Sequence, residues 1–174
     1  MTCVLAILER GHVLMACDSL VSDGDQARIL ATPKFERIGS ALVGWAGVGG
    51  HAQAAWRWLR AHPPTLRNLR DGSLASGLRN EFNRARIECQ SGMLIAVGGA
   101  LFEVDGAFCC SEYSDRFCAI GSGSDLALGS LSATEGLPAK ERARMALEAA
   151  ERFCVSVRGP MHFQRIPCAA RSRR

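Results

Sequence analysis

The sequence predicts an α+β fold of four layers, two stacked and mainly antiparallel sheets with a pair of helices outside each. Three observations carry this. Short apolar runs pair as hairpins, Cys3–Leu8 with His12–Cys17 and Met93–Val97 with Ala100–Val104. The first hairpin is apolar on both faces, so its strands belong inside a layered structure and not on a solvated sheet. Apolar residues at helical spacing then fall in two separate pairs of segments.

Taken in order, Cys3–Leu8 and His12–Cys17 flank Glu9-Arg10-Gly11, read as a three-residue loop with Gly11 where a positive φ is needed. With Leu8 facing His12, Thr2 faces Asp18, and directly opposed Cβ atoms lie roughly 4.5–5.5 Å apart. In that register Val4, Ala6, Leu14 and Ala16 share one face, and Cys3, Leu5, Ile7, Met15 and Cys17 the other. Residues 19–31 read as polar and irregular. Lys34–Ile38 and Ala41–Ala46 read as strands, and a helix over 50–61 presents Ala52, Ala55, Trp56 and Leu59 before Pro63-Pro64 ends it. Ser73 is a candidate N-cap for a second helix with Leu74, Leu78, Phe82, Ala85 and Cys89 on one stripe, weakened by Gly77. The second hairpin turns at Gly98-Gly99, and Phe117–Ile120 is a further strand. Ser124 is read as the cap of a third helix reaching Ala133. Pro138 opens a fourth, with Ala139, Ala143, Ala146, Leu147, Ala150, Phe153 and Cys154 on its stripe. A strand over 161–166 closes the order β-β-β-β-α-α-β-β-β-α-α-β.

Composition narrows the class. The 174 residues, 48% hydrophobic, suit one domain over 1–174 with a full core. The first apolar run stops at Glu9-Arg10, too short for a signal peptide, and no run has transmembrane length. Eight cysteines include no CxxC, and Cys3, Cys17, Cys118 and Cys154 sit in apolar segments, which predicts reduced thiols and a cytoplasmic location. The net charge is +4. The arginines fall mostly at polar helix positions with no aromatic stacking motif beside them, so a solvated surface is favoured over nucleic-acid binding; the basic segment 168–174 is expected to fray. His12, His51, His62 and His162 share no metal-ligand spacing, so no metal is expected. Gly44–Gly50 lacks a Walker lysine and the GxGxxG spacing, and Gly121–Ser124 is not a GxSxG elbow. Trp58, two residues from the stripe residue Trp56, is expected to be exposed and available to a neighbouring subunit.

Chemistry concentrates on Thr2, Asp18 and Lys34, spaced sixteen residues apart twice over. Removal of Met1 leaves Thr2 carrying a hydroxyl nucleophile and an α-amine base on one residue, the amine having an ordinary pKa of about 7.7–8.0. Lys34 and Lys140 are the only lysines among 21 basic residues. Where arginine is the default cation, a lysine suggests a compact point charge. Taken alone, Thr2 and Asp18 better suit a strand start and a turn; Lys34 together with the matching stretches that follow tips the balance toward catalysis.

With this order, the stretches Thr2-Cys-Val, Gly11-His-Val-Leu-Met-Ala-Cys-Asp18-Ser, Lys34, Leu42-Val-Gly-Trp-Ala-Gly47, Ile120-Gly-Ser-Gly-Ser124 and the final amphipathic helix resemble the N-terminal-nucleophile hydrolases. Within them the chain is most similar to proteasome β subunits and the bacterial HslV-type threonine peptidases, over nearly its whole length. The resemblance implies Thr2 as nucleophile and its amine as base, acting through a water. Lys34 would supply a positive charge beside the hydroxyl, paired with Asp18. The Gly44 N–H would face the oxyanion and Ser122 would hydrogen-bond the amine. Proteasome β subunits carry an Asp and a Ser in the turn after the last long helix. Here that turn reads Cys154-Val-Ser-Val-Arg158 with no acid, and Ser156 is a candidate for part of the role. Maturation would need only methionine aminopeptidase.

The resemblance further implies a self-compartmentalising homo-oligomer of stacked rings, six- or seven-fold. Unfolded polypeptides or peptides would be its substrates, an AAA+ ATPase unfoldase is a possible partner, and the chemistry needs no cofactor. Val21, Leu42 and Ala46 would border the pocket for the side chain preceding the cut, favouring apolar residues. Two alternatives stay open. One is a catalytically silent ring or scaffold subunit of the same fold, and the other an N-terminal-nucleophile amidohydrolase acting on small amides.

Overall fold

The computed structural model describes residues 2–23 and 25–168. Met1 and the part of the basic tail beyond Cys168 lie outside the described residues, and so does the expectation that the tail frays. The elements are β1 (Val4–Glu9), β2 (His12–Cys17), β3 (Leu20–Asp23), β4 (Gln26–Ile29), β5 (Phe35–Ile38), β6 (Ala41–Ala46), α1 (Gly49–Ala61), α2 (Leu66–Arg70) and α3 (Ser73–Arg84). They continue with β7 (Gly92–Val97), β8 (Ala100–Val104), β9 (Cys110–Tyr113), β10 (Phe117–Ile120), α4 (Ser124–Ala133), α5 (Ala139–Phe153) and β11 (His162–Pro167).

Two antiparallel sheets stack, one ordered β10-β1-β2-β11 and the other β5-β6-β7-β8-β9. Apolar side chains fill three layers. Val4, Ala6, Met15 and Cys17 meet Leu42, Leu94 and Leu101 between the sheets. Leu5, Leu14, Leu131, Ala143 and Leu147 join the first sheet to α4 and α5, and Val43, Ile95, Leu59, Leu78 and Phe82 join the second to α1 and α3. The architecture is the four-layer αββα sandwich that doubly apolar strands call for, since each sheet must bury both faces.

The first hairpin corrects the sequence reading by one residue. Glu9 pairs with His12 and Val4 with Cys17, leaving Arg10-Gly11 as the turn, with Gly11 at φ 73°. A slip of one residue moves a strand's side chains to the opposite faces. Met15 and Cys17 therefore share the inter-sheet layer with Val4 and Ala6, while Leu14 and Ala16 face the helices. Asp18 follows on opposite Cys3 rather than Thr2, and its N–H donates to the Cys3 carbonyl at 3.2 Å.

Other differences are local. Residues 19–31 contain the ribbon β3–β4, whose mostly exposed strands have no apolar alternation to announce them. The short strand β9 and the single-turn α2, with a Thr65–Asn68 capping box, also went unseen. Ser73 and Ser124 are the first residues of their helices, the caps being Gly72 and Gly123 without side-chain capping bonds. Helix α3 stops at Arg84, so Cys89 is not on its stripe, and Phe153 is 69% exposed at the end of α5. Trp58 is half-buried, stacked on His62 and packed where a Cβ at Gly77 would stand, so the glycine that weakens α3 also makes room for the indole. Arg142 is an exception among the mostly solvated arginines: it is buried, donating to the Leu131 carbonyl at 2.7 Å with its guanidinium over Phe117.

No helix among the described residues is long and apolar enough to cross a membrane.

Candidate active site around Thr2

Three strand registers converge on the N-terminal residue. β1 leads back from Val4 to Thr2. β2 runs antiparallel beside it and ends at Cys17, which brings Asp18 to the same end. On the other side β10 pairs Ile120 with Val4, so the loop Gly121-Ser122-Gly123 continues past Cys3 and Thr2. Lys34 arrives from a longer excursion through the β3–β4 ribbon, just before β5, and its N–H donates to Cys17 Sγ at 3.2 Å.

The polar groups form one buried cluster. Thr2, Asp18 and Lys34 are 4%, 0% and 7% exposed. Lys34 Nζ donates to Asp18 Oδ1 at 2.8 Å, to Thr2 Oγ1 at 3.2 Å and to the Leu20 carbonyl at 2.5 Å. An ammonium has three donors, and all three have acceptors here. Asp18 Oδ1 also accepts from the Cys3 N–H at 2.9 Å, while Oδ2 accepts from the N–H groups of Leu20 at 2.9 Å and Arg158 at 3.4 Å. Two charges withdrawn from water are tolerable only when paired and hydrogen-bonded in this way.

A second chain of bonds reaches the Thr2 nitrogen, which donates to Ser122 Oγ at 3.2 Å. Ser122 Oγ lies 2.9 Å from Ser156 Oγ, and Ser156 Oγ lies 3.2 Å from Cys154 Sγ. The Ser156 hydroxyl, hydrogen-bonded to the Cys154 thiol, holds that thiol's pKa below the ordinary value. Burial has the opposite effect on Cys3 and Cys17 nearby, pushing both up to about 12. The turn after α5 therefore supplies a hydroxyl and a thiol where the resemblance offered an acid and a hydroxyl.

Two cavities open beside Thr2. The larger, ≈ 640 Å³, is mostly apolar, with Val21, Pro33, Trp45, Ala52 and Trp56 around Lys34. The smaller, ≈ 280 Å³, lies on the Ser122 side and includes Ala46, Gln90 and Glu103. Val21 thus borders one cavity and Ala46 the other. Leu42 borders neither; it is fully buried between the sheets, which corrects its placement at a pocket.

Gly44 also lies away from both cavities. It sits in mid-strand, paired with Phe35 and Leu94, and a Cβ there would stand 2.5 Å from Val4 Cγ1. Its lack of a side chain serves the close approach of the two sheets. The glycine that lines both cavities with Thr2 is Gly47, at φ 127° between β6 and α1. A side chain there would run into Ser91, whose hydroxyl accepts from the Val48 N–H at 2.9 Å and lies 3.4 Å from His51 Nδ1. The signal for Gly47 was present in the sequence, as the first glycine beyond the all-apolar run Ala41–Ala46. Choosing between Gly44 and Gly47 requires knowing where β6 ends.

Among the described residues no group of three or more His, Cys, Asp and Glu could hold a metal ion. The arrangement suits acyl transfer: a hydroxyl against an ammonium, a nitrogen held by a serine, and a glycine backbone at the rim.

Neither a family model nor a curated protein matches the chain by sequence. Solved structures do match by shape. BPH from Thiobacillus denitrificans superposes with a TM-score of 0.83 at 23% identity, covering 95% of this chain and 97% of that one, and BPH in complex with epoxomicin gives 0.82. Eukaryotic HslV from Trypanosoma brucei gives 0.78 at 21% identity over 95% of this chain and 99% of its own. Anbu (ancestral beta-subunit) from Yersinia bercovieri gives 0.76 at 18% identity, over 97% and 82%. Together with the two stacked sheets and the helix pairs outside them, these likenesses show that the chain has the fold of BPH, HslV and Anbu.

Proposed function

We propose that the chain is a threonine peptidase subunit of a proteasome-like compartment, with Thr2 as its nucleophile after Met1 is removed. The observation that carries this reading is Lys34 Nζ between Thr2 Oγ1, at 3.2 Å, and Asp18 Oδ1, at 2.8 Å. A positive charge there favours the alkoxide as the hydroxyl gives up its proton. The freed α-amine takes that proton through a water, and Oγ1 attacks the peptide carbonyl. The carbonyl oxygen becomes an oxyanion, for which we assign the Gly47 N–H as donor in place of Gly44. The tetrahedral species collapses, the C–N bond breaks, and the departing amine leaves with the proton held by the α-ammonium. Water then hydrolyses the ester on Thr2. Ser122 orients the amine and Ser156 orients Ser122. No cofactor enters these steps.

The apolar cleft beside Lys34 suits the side chain preceding the cut, with Val21 on its wall. The likeness in fold to HslV and Anbu supports self-assembly, and the reading extends to stacked homo-oligomeric rings, six- or seven-fold, acting on unfolded polypeptides in the cytoplasm, with an AAA+ ATPase unfoldase as a candidate partner. Native mass measurement gives the ring size.

The decisive experiment compares wild type with Thr2→Ala and Thr2→Ser on a fluorogenic peptide. Alanine is expected to abolish turnover and serine to keep part of it, with assembly intact in both. Undiminished turnover in Thr2→Ala refutes the assignment. Because BPH has been solved with epoxomicin, an epoxomicin adduct seen by intact mass on wild type and absent on Thr2→Ala is a second readout. Retention of Met1 in the purified protein would favour a silent ring subunit instead.

A further inference from the structure

The two cavities flanking Thr2 differ in chemistry, and the smaller one contains a carboxylate that the reaction does not use. Glu103, half-buried on β8, lines it together with Gln90 and Ser122. The Tyr113 hydroxyl of β9 donates to Glu103 Oε2, orienting the carboxyl group. This bond is also the main reason the Tyr113 pKa is raised, so the phenol stays a donor. Glu103 is the one acidic side chain among the described residues lining that cavity. A carboxylate at a cavity wall that forms no ion pair among the described residues is a site for a cationic side chain.

The direction of the substrate follows from where protons move. The leaving nitrogen must receive its proton from the Thr2 α-amine, and that nitrogen is held by Ser122, on the wall of the smaller cavity. The residue after the scissile bond therefore departs on that side. The residue before it remains esterified to Oγ1, on the side of Lys34 and the apolar cleft.

We propose that Glu103, assisted by Gln90, forms a subsite for an arginine or lysine immediately after the cut, so that the enzyme prefers bonds between an apolar and a basic residue. This rests on the peptidase reading above. The bond gained is a charge-assisted one at a partly screened site, worth on the order of 1 kcal/mol, or about fivefold in rate.

The test uses internally quenched peptides that share a leucine before the cut and carry Arg, Ala or Glu after it, with the cleaved bond located by mass spectrometry. In wild type, kcat/KM for the Arg peptide is expected to exceed that for Ala by about fivefold, with Glu slowest, and the ratio to shrink as salt is added. Within Glu103→Gln the Arg-to-Ala ratio is expected to fall to about one. Within Glu103→Lys the order of Arg and Glu is expected to reverse. Equal rates for Arg and Ala in wild type, or an unchanged ratio in Glu103→Gln, overturn the subsite and leave the peptidase reading standing. Wild type that cleaves none of the peptides and is indistinguishable from Thr2→Ala overturns both. The wild-type ratio decides the matter even if a variant fails to fold.

Discussion

Lys34 directs its three ammonium donors to Asp18, Thr2 and the Leu20 carbonyl, so its position is over-determined. Removing one member of such a buried pair leaves the other charge without its partner, which typically costs about 3–5 kcal/mol. Asp18→Ala is therefore expected to lower the Tm by on the order of 10 °C and to remove activity, as read by thermal unfolding and peptide hydrolysis. A variant as stable as wild type would mean that Lys34 finds other partners. The thiols give an independent check on burial. Cys3 and Cys17 are pushed up to about 12, whereas the hydrogen bond from Ser156 lowers Cys154. Iodoacetamide at pH 8 is expected to label Cys154 and to leave Cys3 and Cys17 untouched, as peptide mapping would show. Alkylation at Cys154, whose sulfur lies 3.2 Å from Ser156 Oγ, is expected to slow turnover by disturbing Ser122.

Glycines set the close contacts between elements, and the sequence does not show those contacts, because what a Cβ would strike is a property of the neighbouring element. Gly44 lets β6 approach Val4 of β1, and Gly77 lets α3 approach Trp58 of α1. Replacing Gly77 by alanine should gain up to about 1 kcal/mol in helix propensity, yet the new Cβ would stand 2.5 Å from Trp58 Cζ2. Overpacking of that kind typically costs about 1–3 kcal/mol, so the clash outweighs the gain and Gly77→Ala is expected to unfold at lower urea. A stabilised variant would show that the indole moves aside freely. The β1–β2 turn shows the same limit at the scale of one hairpin. Gly11 announced a turn, but a three-residue and a two-residue loop both fit Glu9-Arg10-Gly11, and the register changed by one. Apolar residues on both faces of β2 left no alternation to choose between them.

For the whole molecule, buried thiols link stability to alkaline pH. The folded pKa values of Cys3, Cys17 and Cys118 lie near 12, while an unfolded thiol titrates at about 8.5. Between these values the unfolded chain has released protons that the folded chain keeps, so stability is expected to fall steadily from about pH 9 toward pH 12. Chemical unfolding at several pH values checks the slope; a flat profile would contradict burial of these thiols. The four layers were legible in the sequence, because doubly apolar strands and paired helical stripes such as Ala143-Ala146-Leu147 allow few other ways to exclude water. Thr2, Asp18 and Lys34 were legible too, as a hydroxyl, an acid and a rare lysine at sixteen-residue spacing, and the structure brings Lys34 within hydrogen-bonding distance of the other two. Periodicity and polarity are local properties, so they were enough to show which residue types are available for chemistry and that the strands are buried on both faces. Packing between distant segments places Gly47 and not Gly44 at the cavities, Leu42 in the core, and Glu103 on the wall of a cavity that Thr2 also lines. Those placements depend on where strands end and which sheets face each other, and they arise from contacts between residues far apart in the chain.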